Sequence, residues 1–424
     1  MGLIAAKQDR LAARLAGHSL PRGLDAARAH ASDRLAAMGL PAKRDEYWRY
    51  TDPTSLTEAE APRAAVFDPR DESPVFGAVD RLKIVFVDGV FDPAASDALA
   101  LEGVEITRLA EVPAGHWAES LYGVLEAAGQ DPVARPLAAF NSAYATDGVL
   151  IRVTRTPSKP ISLIYVHKSE TSDAMLHNCI RVDSGASLTL LENGPAAARF
   201  NKVMEVELAE RAAFHHIRAQ GRDHARRAAT HIFARLARKS LFKSFTLTAN
   251  GVLTRNEAVL DLTGDDAVAH VAGAAVGDGR FHHDDTVFVT HRGLCCESRQ
   301  VFKKVLKNGA VGVFQGKILV KPGAQKTDGY QISQALLLDG ESQFLAKPEL
   351  EIYADDVKCS HGSTSGAIDE TALYYLRSRG VPLAQAQALL VLAFLAEAIA
   401  EIEDEAIAED IRSRLEGWLA RHEH

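Results

Sequence analysis

The fold is decided by short segments such as SFTLTANG (Ser244–Gly251), in which apolar and polar side chains alternate. In an extended chain, Phe245 and Leu247 point to one side. Thr246 and Thr248 then point to the opposite side. The segment ends in Asn-Gly, a dipeptide typical of turns. The alternation therefore predicts a short β-strand with two chemically different faces.

Segments of this kind recur from about residue 140 to about residue 354, each bounded by Gly, Asp or Asn. Many short strands at near-regular spacing are typical of a sandwich, a barrel or a stacked solenoid. The strands are too numerous for one typical sandwich, and small Val, Ala and Gly residues recur where a narrow stacked interior needs them. We therefore predict a mainly β fold with a β-solenoid core. Further examples are NEAVLDLTG (Asn256–Gly264), DTVFVTHRG (Asp285–Gly293) and AVGVFQGKILV (Ala310–Val320).

Helix-forming sequence lies on both sides of these strands. Before them, IAAKQDRLAARLAG and LDAARAHASDRLAAMGL are rich in Ala, Leu and Arg, and RLKIVFVDGVF (Arg81–Phe91) predicts a strand with an Asp-Gly turn. After them, Ser365 or Asp369 can cap a helix. Gly380 then ends that helix and Pro382 begins the next.

We predict three parts on this basis: a mostly helical N-terminal region (residues 1–139), a solenoid core (140–355) and a C-terminal helical domain (356–424). In the last helix, four apolar residues fall at helical spacing and form one stripe. Such a stripe is most often core, although on a small terminal domain it can be a docking face. Its members are Ile407, Ile411, Leu415 and Trp418.

Composition excludes several classes of protein. A chain of 424 residues with a net charge of −8 has no general attraction to nucleic acid or anionic membranes. The Arg-rich stretch Gly221–Ser240 is interpreted as a structured basic face. The four cysteines form no disulfide framework, which indicates a reducing compartment, and we expect the cytoplasm. The most apolar segment, Ala388–Ile402, is too short to span a bilayer.

Several potential metal ligands occur within twenty residues, but their spacing matches no zinc or iron–sulfur signature. Adjacent residues of a strand point to opposite faces, so we favour a structural role for them. GVFQGKI (Gly312–Ile318) also lacks the spacing of a phosphate-binding loop, and no other nucleotide fingerprint is present. The potential ligands are His282, His283, Asp284, Asp285, His291, Cys295 and Cys296.

A different pair lies in ELEIYADDVKCSHGSTSG (Glu349–Gly366). On an extended segment, Cys359 and His361 point to the same side. A thiolate beside an imidazole suits iron, zinc or persulfide sulfur, but two ligands do not complete a site. The residues alone leave two interpretations open: a site that a partner chain completes, or a structural turn with a satisfied histidine.

This region also carries a family resemblance. KPELEIYADDVKCSHGSTSGAIDETALYYLRSRGV resembles the signature of the SufB/SufD scaffold family of iron–sulfur cluster assembly, and within it the SufD branch. HRGLCCESRQVFKKVL, AVGVFQGKILVKPGAQKTDGYQISQALLL, AAFNSAYATDGVLIRV and EYWRYTDPTSL resemble other segments of the family. The likeness runs from about Phe140 to the C-terminus. The turn Gly362–Gly366 departs slightly from the family pattern.

The resemblance implies a right-handed parallel β-helix with helical terminal domains, and a non-catalytic scaffold in a complex with SufB and the SufC ATPase. His361, with Cys359 beside it, would assist assembly of a nascent cluster at the interface with SufB, which would supply the essential cysteine. His361 is also a possible metal ligand shared with SufB. No cofactor would be held stably by the chain alone, and a homodimer is possible without SufB. The residues expected to dock SufC are Ile368, Leu373, Tyr374 and Arg377.

The competing hypothesis is an independent β-helix enzyme, either a metal-dependent hydrolase or a polysaccharide-active enzyme. It would need a cleft lined with carboxylates or a complete ligand set on one turn of the solenoid. The sequence shows no convincing pattern of this kind.

Overall fold

The computed structural model describes residues 3–66, 68, 73–221 and 225–422. Its α-helices are α1 (Leu3–Leu15), α2 (Asp25–Met38), α3 (Thr54–Thr57), α4 (Val124–Ala128), α5 (Pro136–Tyr144), α6 (Glu370–Ser378), α7 (Leu383–Ile399) and α8 (Glu405–Arg421). Its strands are β1 (Leu82–Val87), β2 (Val90–Phe91), β3 (Val104–Arg108), β4 (Val149–Val153), β5 (Ile161–Val166), β6 (Asp173–Val182), β7 (Ser187–Asn193), β8 (Arg199–Leu208), β9 (Ala213–Gln220), β10 (Arg227–Leu236), β11 (Leu241–Ala249), β12 (Leu253–Leu262), β13 (Val268–Asp278), β14 (His282–His291), β15 (Glu297–Lys307), β16 (Val311–Val320), β17 (Asp328–Leu337), β18 (Gln343–Ile352) and β19 (Lys358–Gly366).

The strands form two sheets, and successive strands of the coiled chain alternate between them. The ten-stranded sheet has the order β19-β17-β15-β13-β11-β9-β7-β5-β1-β2, and the nine-stranded sheet has β18-β16-β14-β12-β10-β8-β6-β4-β3. From β4 onward each strand therefore pairs in parallel with the strand two places away in sequence, as β11 does with β9 and β13. This arrangement is a parallel β-solenoid of about seven turns, and it confirms the predicted fold class.

The middle of the solenoid encloses a polar interior. Ser244 Oγ lies 2.8 Å from His216 Nδ1, and Thr248 donates to Gln220 Oε1. Gln220 also accepts a hydrogen bond from Asn256 of the opposite sheet, so this network lies between the sheets. The apolar face of SFTLTANG points outward and packs beneath the C-terminal helices. Both faces of the segment are covered. Its alternation of apolar and polar residues therefore separates the helix-covered face from the interior between the sheets, and not core from solvent.

The terminal helices cover one outer face each. The N-terminal helices pack on the nine-stranded sheet, with Trp48 and Tyr122 in the same cluster as Val203 of β8. The C-terminal helices pack on the ten-stranded sheet, with Leu395 and Trp418 beside Phe245. The predicted stripe of α8 is buried along its whole length, so it forms core.

The solenoid strands extend past both predicted divisions. β1 to β3 (residues 82–108) join the sheets although they lie in the region predicted as mostly helical, and β1 and β2 form the predicted Asp-Gly hairpin. At the other end, β19 pairs with β17 beyond residue 355. The Ser- and Gly-rich sequence of β19 carries no apolar alternation because most of its residues are exposed.

The predicted helix signals of the C-terminal domain are confirmed in part. Asp369, not Ser365, caps α6, and its carboxylate accepts from Ala372 N at 2.9 Å. Gly380 follows α6 with φ of 86°, and Pro382 directly precedes α7. Among the described helices, none has the length and apolar character needed to cross a membrane.

The basic stretch Gly221–Ser240 forms β10 and its flanking turns. Arg235 and Arg238 pair with Glu207 and Glu210 on the preceding turn of the solenoid, and Arg226 is buried. Residues 222–224 lie outside the described chain. The described arginines are thus structural, as the sequence interpretation held.

Acidic groups after α7 hold the C-terminal helices to basic groups of the ten-stranded sheet. His270 contacts Glu401 at 2.9 Å and Glu297 at 3.2 Å. Lys243 contacts Glu403 at 2.7 Å. The hydrogen bond from His270 lowers the pKa of Glu401 below its ordinary value of 4.5.

We predict that Glu401→Gln lowers the free energy of unfolding at pH 7 by about 1 kcal/mol. Because the folded-state pKa of Glu401 is lowered, its contribution is complete above about pH 4.5 and disappears as the pH falls through that lowered pKa. Urea unfolding of wild type and variant between about pH 3.5 and 7 measures how the difference in unfolding free energy depends on pH. Glu416→Gln, on the exposed face of α8, is the control. A pH-independent difference between Glu401→Gln and wild type would contradict the prediction.

Candidate functional site at the open end of the solenoid

The last turn of the solenoid is an open end. β19 pairs with β17 and β18 pairs with β16, and within the described chain neither has a strand on its other side. β18 is only half-buried and β19 is mostly exposed, whereas β16, the neighbour of β18, is largely buried. The backbone groups along this edge are therefore free to pair with another chain.

Cys359 and His361 both lie on β19, two residues apart. Their ladder partners on β17 are Gly329 and Gln331, whose positions are buried between the sheets. The pair thus continues an inward-facing row to the end of the solenoid, where nothing in the described chain covers it. The sequence left open whether this segment is extended or a turn, and in the structure it is a strand.

Cys359 is half-buried in a small apolar cluster with Ile318 and Val320 of β16. Burial raises the pKa of its thiol above the ordinary value, the Asp328 carboxylate raises it further, and a main-chain hydrogen bond from Gly329 acts in the opposite direction. A thiol of this kind is largely protonated near neutral pH, so it is a poor nucleophile and metal ligand without a nearby cation.

His361 is exposed, and no hydrogen bond from the described residues fixes its imidazole. Behind it, both polar atoms of the Gln331 side chain are buried without a hydrogen-bond partner. Gly316 makes room for this amide, because a Cβ there would lie 1.7 Å from Gln331 Nε2. Buried polar atoms are rarely left unpaired, so the Gln331 amide has the capacity for further polar contacts.

The other predicted metal ligands do not converge. His283 and Asp285 face the interior and contact Lys304, whereas Asp284 faces the N-terminal helices and contacts Arg255. Cys296 points at a main-chain carbonyl, that of Gly264. These partners agree with the structural role favoured from the sequence. The segment GVFQGKI, which lacked the spacing of a phosphate-binding loop, is a buried part of β16.

Sequence reasoning missed one cluster of ligand types. His177 and Cys179 of β6 lie beside Glu205 of β8, and their ligand atoms are all within 4.8 Å of one another. The available signal was the spacing His-x-Cys within the predicted solenoid region, but Glu205 is 26 residues from Cys179 and only the ladder register brings it there.

The residues predicted to dock SufC divide into two environments. Tyr374 and Arg377 are exposed on α6, which buries no residue of its own. Ile368 and Leu373 are half-buried and line a cleft between α6, α7 and α8. Three further exposed apolar or aromatic side chains lie on α6 and α7 and were not singled out from the sequence: Tyr375, Leu383 and Leu389.

A solenoid with helical flanks and a Cys–His pair on its last strand, whose outer edge has no partner strand in the described chain, defines a class of open-ended β-solenoid proteins. Comparison with known families agrees: residues 10–161 match the SufBD protein N-terminal region, and residues 165–394 match the SufBD core domain of the SUF system for iron–sulfur cluster assembly. The chain belongs to the SufB/SufD family and is SufD-like.

Its relatives include the iron–sulfur cluster assembly protein SufD of Escherichia coli, which is 27% identical over 90% of both chains. A SufBD family protein of Synechocystis is 28% identical over 88% of this chain and 86% of its own length. SufD of Bacillus subtilis is 28% identical over 66% of each chain.

We predict that Cys359 in the isolated protein reacts with iodoacetamide more slowly than the exposed Cys295. Asp328→Asn should accelerate the alkylation of Cys359 about two- to fivefold, since it removes a negative charge that raises the thiol pKa. Peptide mass spectrometry against time gives both rates. Asp356→Asn, whose carboxylate pairs with Lys326, is the matched control. Equal rates for Cys359 in wild type and Asp328→Asn would contradict this account.

Proposed function

We propose that this protein is the SufD-type scaffold subunit of a complex with SufB and the SufC ATPase, and that it supports iron–sulfur cluster assembly without catalysing a reaction alone. The observation that carries the proposal is the placement of Cys359 and His361 on the last strand of the solenoid, whose outer edge is unpaired in the described chain. Membership of a cluster-assembly family supports it.

The open end provides the means of pairing with SufB. β18 and β19 expose a continuous edge from both sheets, and an extended strand or a second solenoid can add to such an edge through backbone hydrogen bonds. Without SufB, the same edge would support a homodimer. Tyr353, directly after β18, is an exposed aromatic side chain of the kind enriched at interfaces.

The chemistry of the pair also requires a partner. Cys359 and His361 offer at most two ligands, and the raised pKa of the Cys359 thiol disfavours the thiolate that binds iron. The nascent cluster, which is the cargo of the complex, would therefore form only when SufB supplies the remaining ligands. His361, exposed and unrestrained, would act as a shared ligand or as a proton carrier beside them.

The exposed face of α6 and α7 is the proposed contact for SufC. Tyr374 and Arg377 are available to a partner, whereas α6 packs against α7 and α7 packs on the ten-stranded sheet. Aromatic and arginine side chains dominate the binding energy of many interfaces. The cytoplasmic location expected from the sequence stays a prediction.

We predict that His361→Ala leaves assembly with SufB and SufC intact but lowers cluster formation at least about tenfold. The complex is purified, reconstituted anaerobically with iron and sulfide, and assayed for both elements and for the visible cluster absorption. Ser360→Ala, adjacent on β19 and on its opposite face, is the matched control. Unchanged cluster content in His361→Ala, or loss of the complex itself, would overturn the interface role.

We predict that Arg377→Glu weakens SufC binding about tenfold or more while SufB binding is unchanged. Arg377 is exposed at the C-terminal end of α6, so its reversal should not disturb the solenoid. Titration calorimetry with SufC gives the affinity, and circular dichroism checks the fold. Arg412→Glu on α8 is the control, and an equal loss in both variants would place the docking face elsewhere.

A further inference from the structure

Three ligand-type side chains meet beneath the N-terminal helices, far along the chain from the open end. His177 and Cys179 occupy alternate positions of β6 and therefore share a face. Glu205 of β8 is the ladder partner of Cys179. All three side chains are fully buried. The backbone pairing of the solenoid thus fixes an imidazole, a thiol and a carboxylate side by side.

Their spacing is that of a metal coordination shell. His177 Nε2 lies 3.1 Å from Glu205 Oε2, and Cys179 Sγ lies 3.8 Å from the same oxygen. In a tetrahedral zinc site with bonds of about 2.0–2.3 Å, neighbouring ligand atoms are about 3.3–3.6 Å apart. Small adjustments of these side chains suffice to place one ion between them.

Nδ1 of His177, the ring nitrogen that faces away from Glu205, is held by a hydrogen bond as in a metal site. Asn141 Nδ2 donates to the main-chain oxygens of Leu176 and Asn201, which fixes the orientation of its amide. Asn141 Oδ1 therefore faces His177 Nδ1 at 3.1 Å and can only accept, so Nδ1 carries a proton. Metal-binding histidines are typically oriented by such a hydrogen bond from the nitrogen that does not bind the ion. Nε2 is directed at Glu205.

The surroundings of Glu205 also fit a cation site. Its oxygens accept from the main-chain nitrogens of Gly123 and Glu126 at 2.6 and 2.8 Å, where α4 begins. Among the described residues, no lysine or arginine lies within ion-pairing distance of this carboxylate. Glu205 Oε2 thus lies close to both His177 Nε2 and Cys179 Sγ, and one cation can contact all three ligand atoms.

We propose that His177, Cys179 and Glu205 bind one divalent cation of the borderline-soft class to which Zn²⁺ and Fe²⁺ belong. Mixed imidazole, thiolate and carboxylate donors suit this class, whereas Mg²⁺ and Ca²⁺ require oxygen ligands. The site is independent of the open end and of the proposed cluster chemistry. It revises the expectation that the isolated chain holds no cofactor.

The cation would be structural. It would join β6 and β8 to the start of α4 through Glu205, beneath the ring of Tyr122, which lies 4.1 Å from that of His177. Because the ligands are fully buried, the ion would be incorporated as the chain folds. Binding to the folded state alone would raise the thermal stability of the protein.

The test uses the full chain, produced in medium with Zn²⁺ and, separately, with Co²⁺ in its place. Elemental analysis after dialysis should give about one ion per chain, and the cobalt form should show an intense thiolate-to-Co²⁺ charge-transfer band. Cys179→Ala, which removes a ligand that caps no backbone group, should abolish the band and lower the ion content by about tenfold or more. Cys359→Ala should change neither readout.

Three results would overturn the proposal: no retained ion in the wild type, an ion that survives Cys179→Ala, or an ion lost in Cys359→Ala. If the wild type retained no ion, the remaining role of Glu205 would be to accept the main-chain hydrogen bonds at the start of α4. Circular dichroism must show that Cys179→Ala is folded, and His177→Gln provides a second removal if it is not. Cluster formation in the complex with SufB is a separate assay, so failure of this site and failure of the proposed function are distinguishable.

Discussion

The parallel backbone ladder between successive turns is the constraint on which the rest of the structure depends. Each strand pairs with the strands one turn before and one turn after it, so its side chains stack in register along the solenoid. The register decides which residues become neighbours, whatever their separation in sequence. It also leaves one edge unpaired at the last turn, and the proposed interface lies there.

The ladder also explains how a solenoid tolerates charge in its interior. Glu192 of β7 and Lys202 of β8 are fully buried and form an ion pair across the two sheets. Arg218 reaches Thr230 in the same manner at 2.9 Å. Unpaired, each of these groups would cost several kcal/mol. Because each of these pairs joins consecutive strands of opposite sheets, a shift of register in either sheet would break such contacts together, and the polar interior therefore favours a single arrangement.

Much of this architecture could be predicted from the sequence, for reasons visible in particular residues. Alternation and turn residues identified strands such as β11. Of the two predicted caps, Ser365 and Asp369, the structure uses Asp369, and Gly380 follows α6 as predicted. The exposed strand β19 was not predicted, because Ser, Gly and Thr at an open edge leave no apolar pattern. Cys359 and His361 stood out since they are close in sequence. Glu205 could not be joined to His177 without the register, since periodicity does not state which strands pair.

The two Cys–His pairs of the chain show what the ladder adds to a motif. His177-x-Cys179 and Cys359-x-His361 each place both side chains on one face of a strand. β6 has the neighbour β8, which supplies Glu205 and completes a set of three within the chain. β19 has no neighbour on its outer side within the described residues. Under the two proposals, the His177 pair is completed within the chain because β6 has a neighbouring strand that supplies a third ligand. The Cys359 pair would need another chain, because no further strand of the described residues lies beside β19.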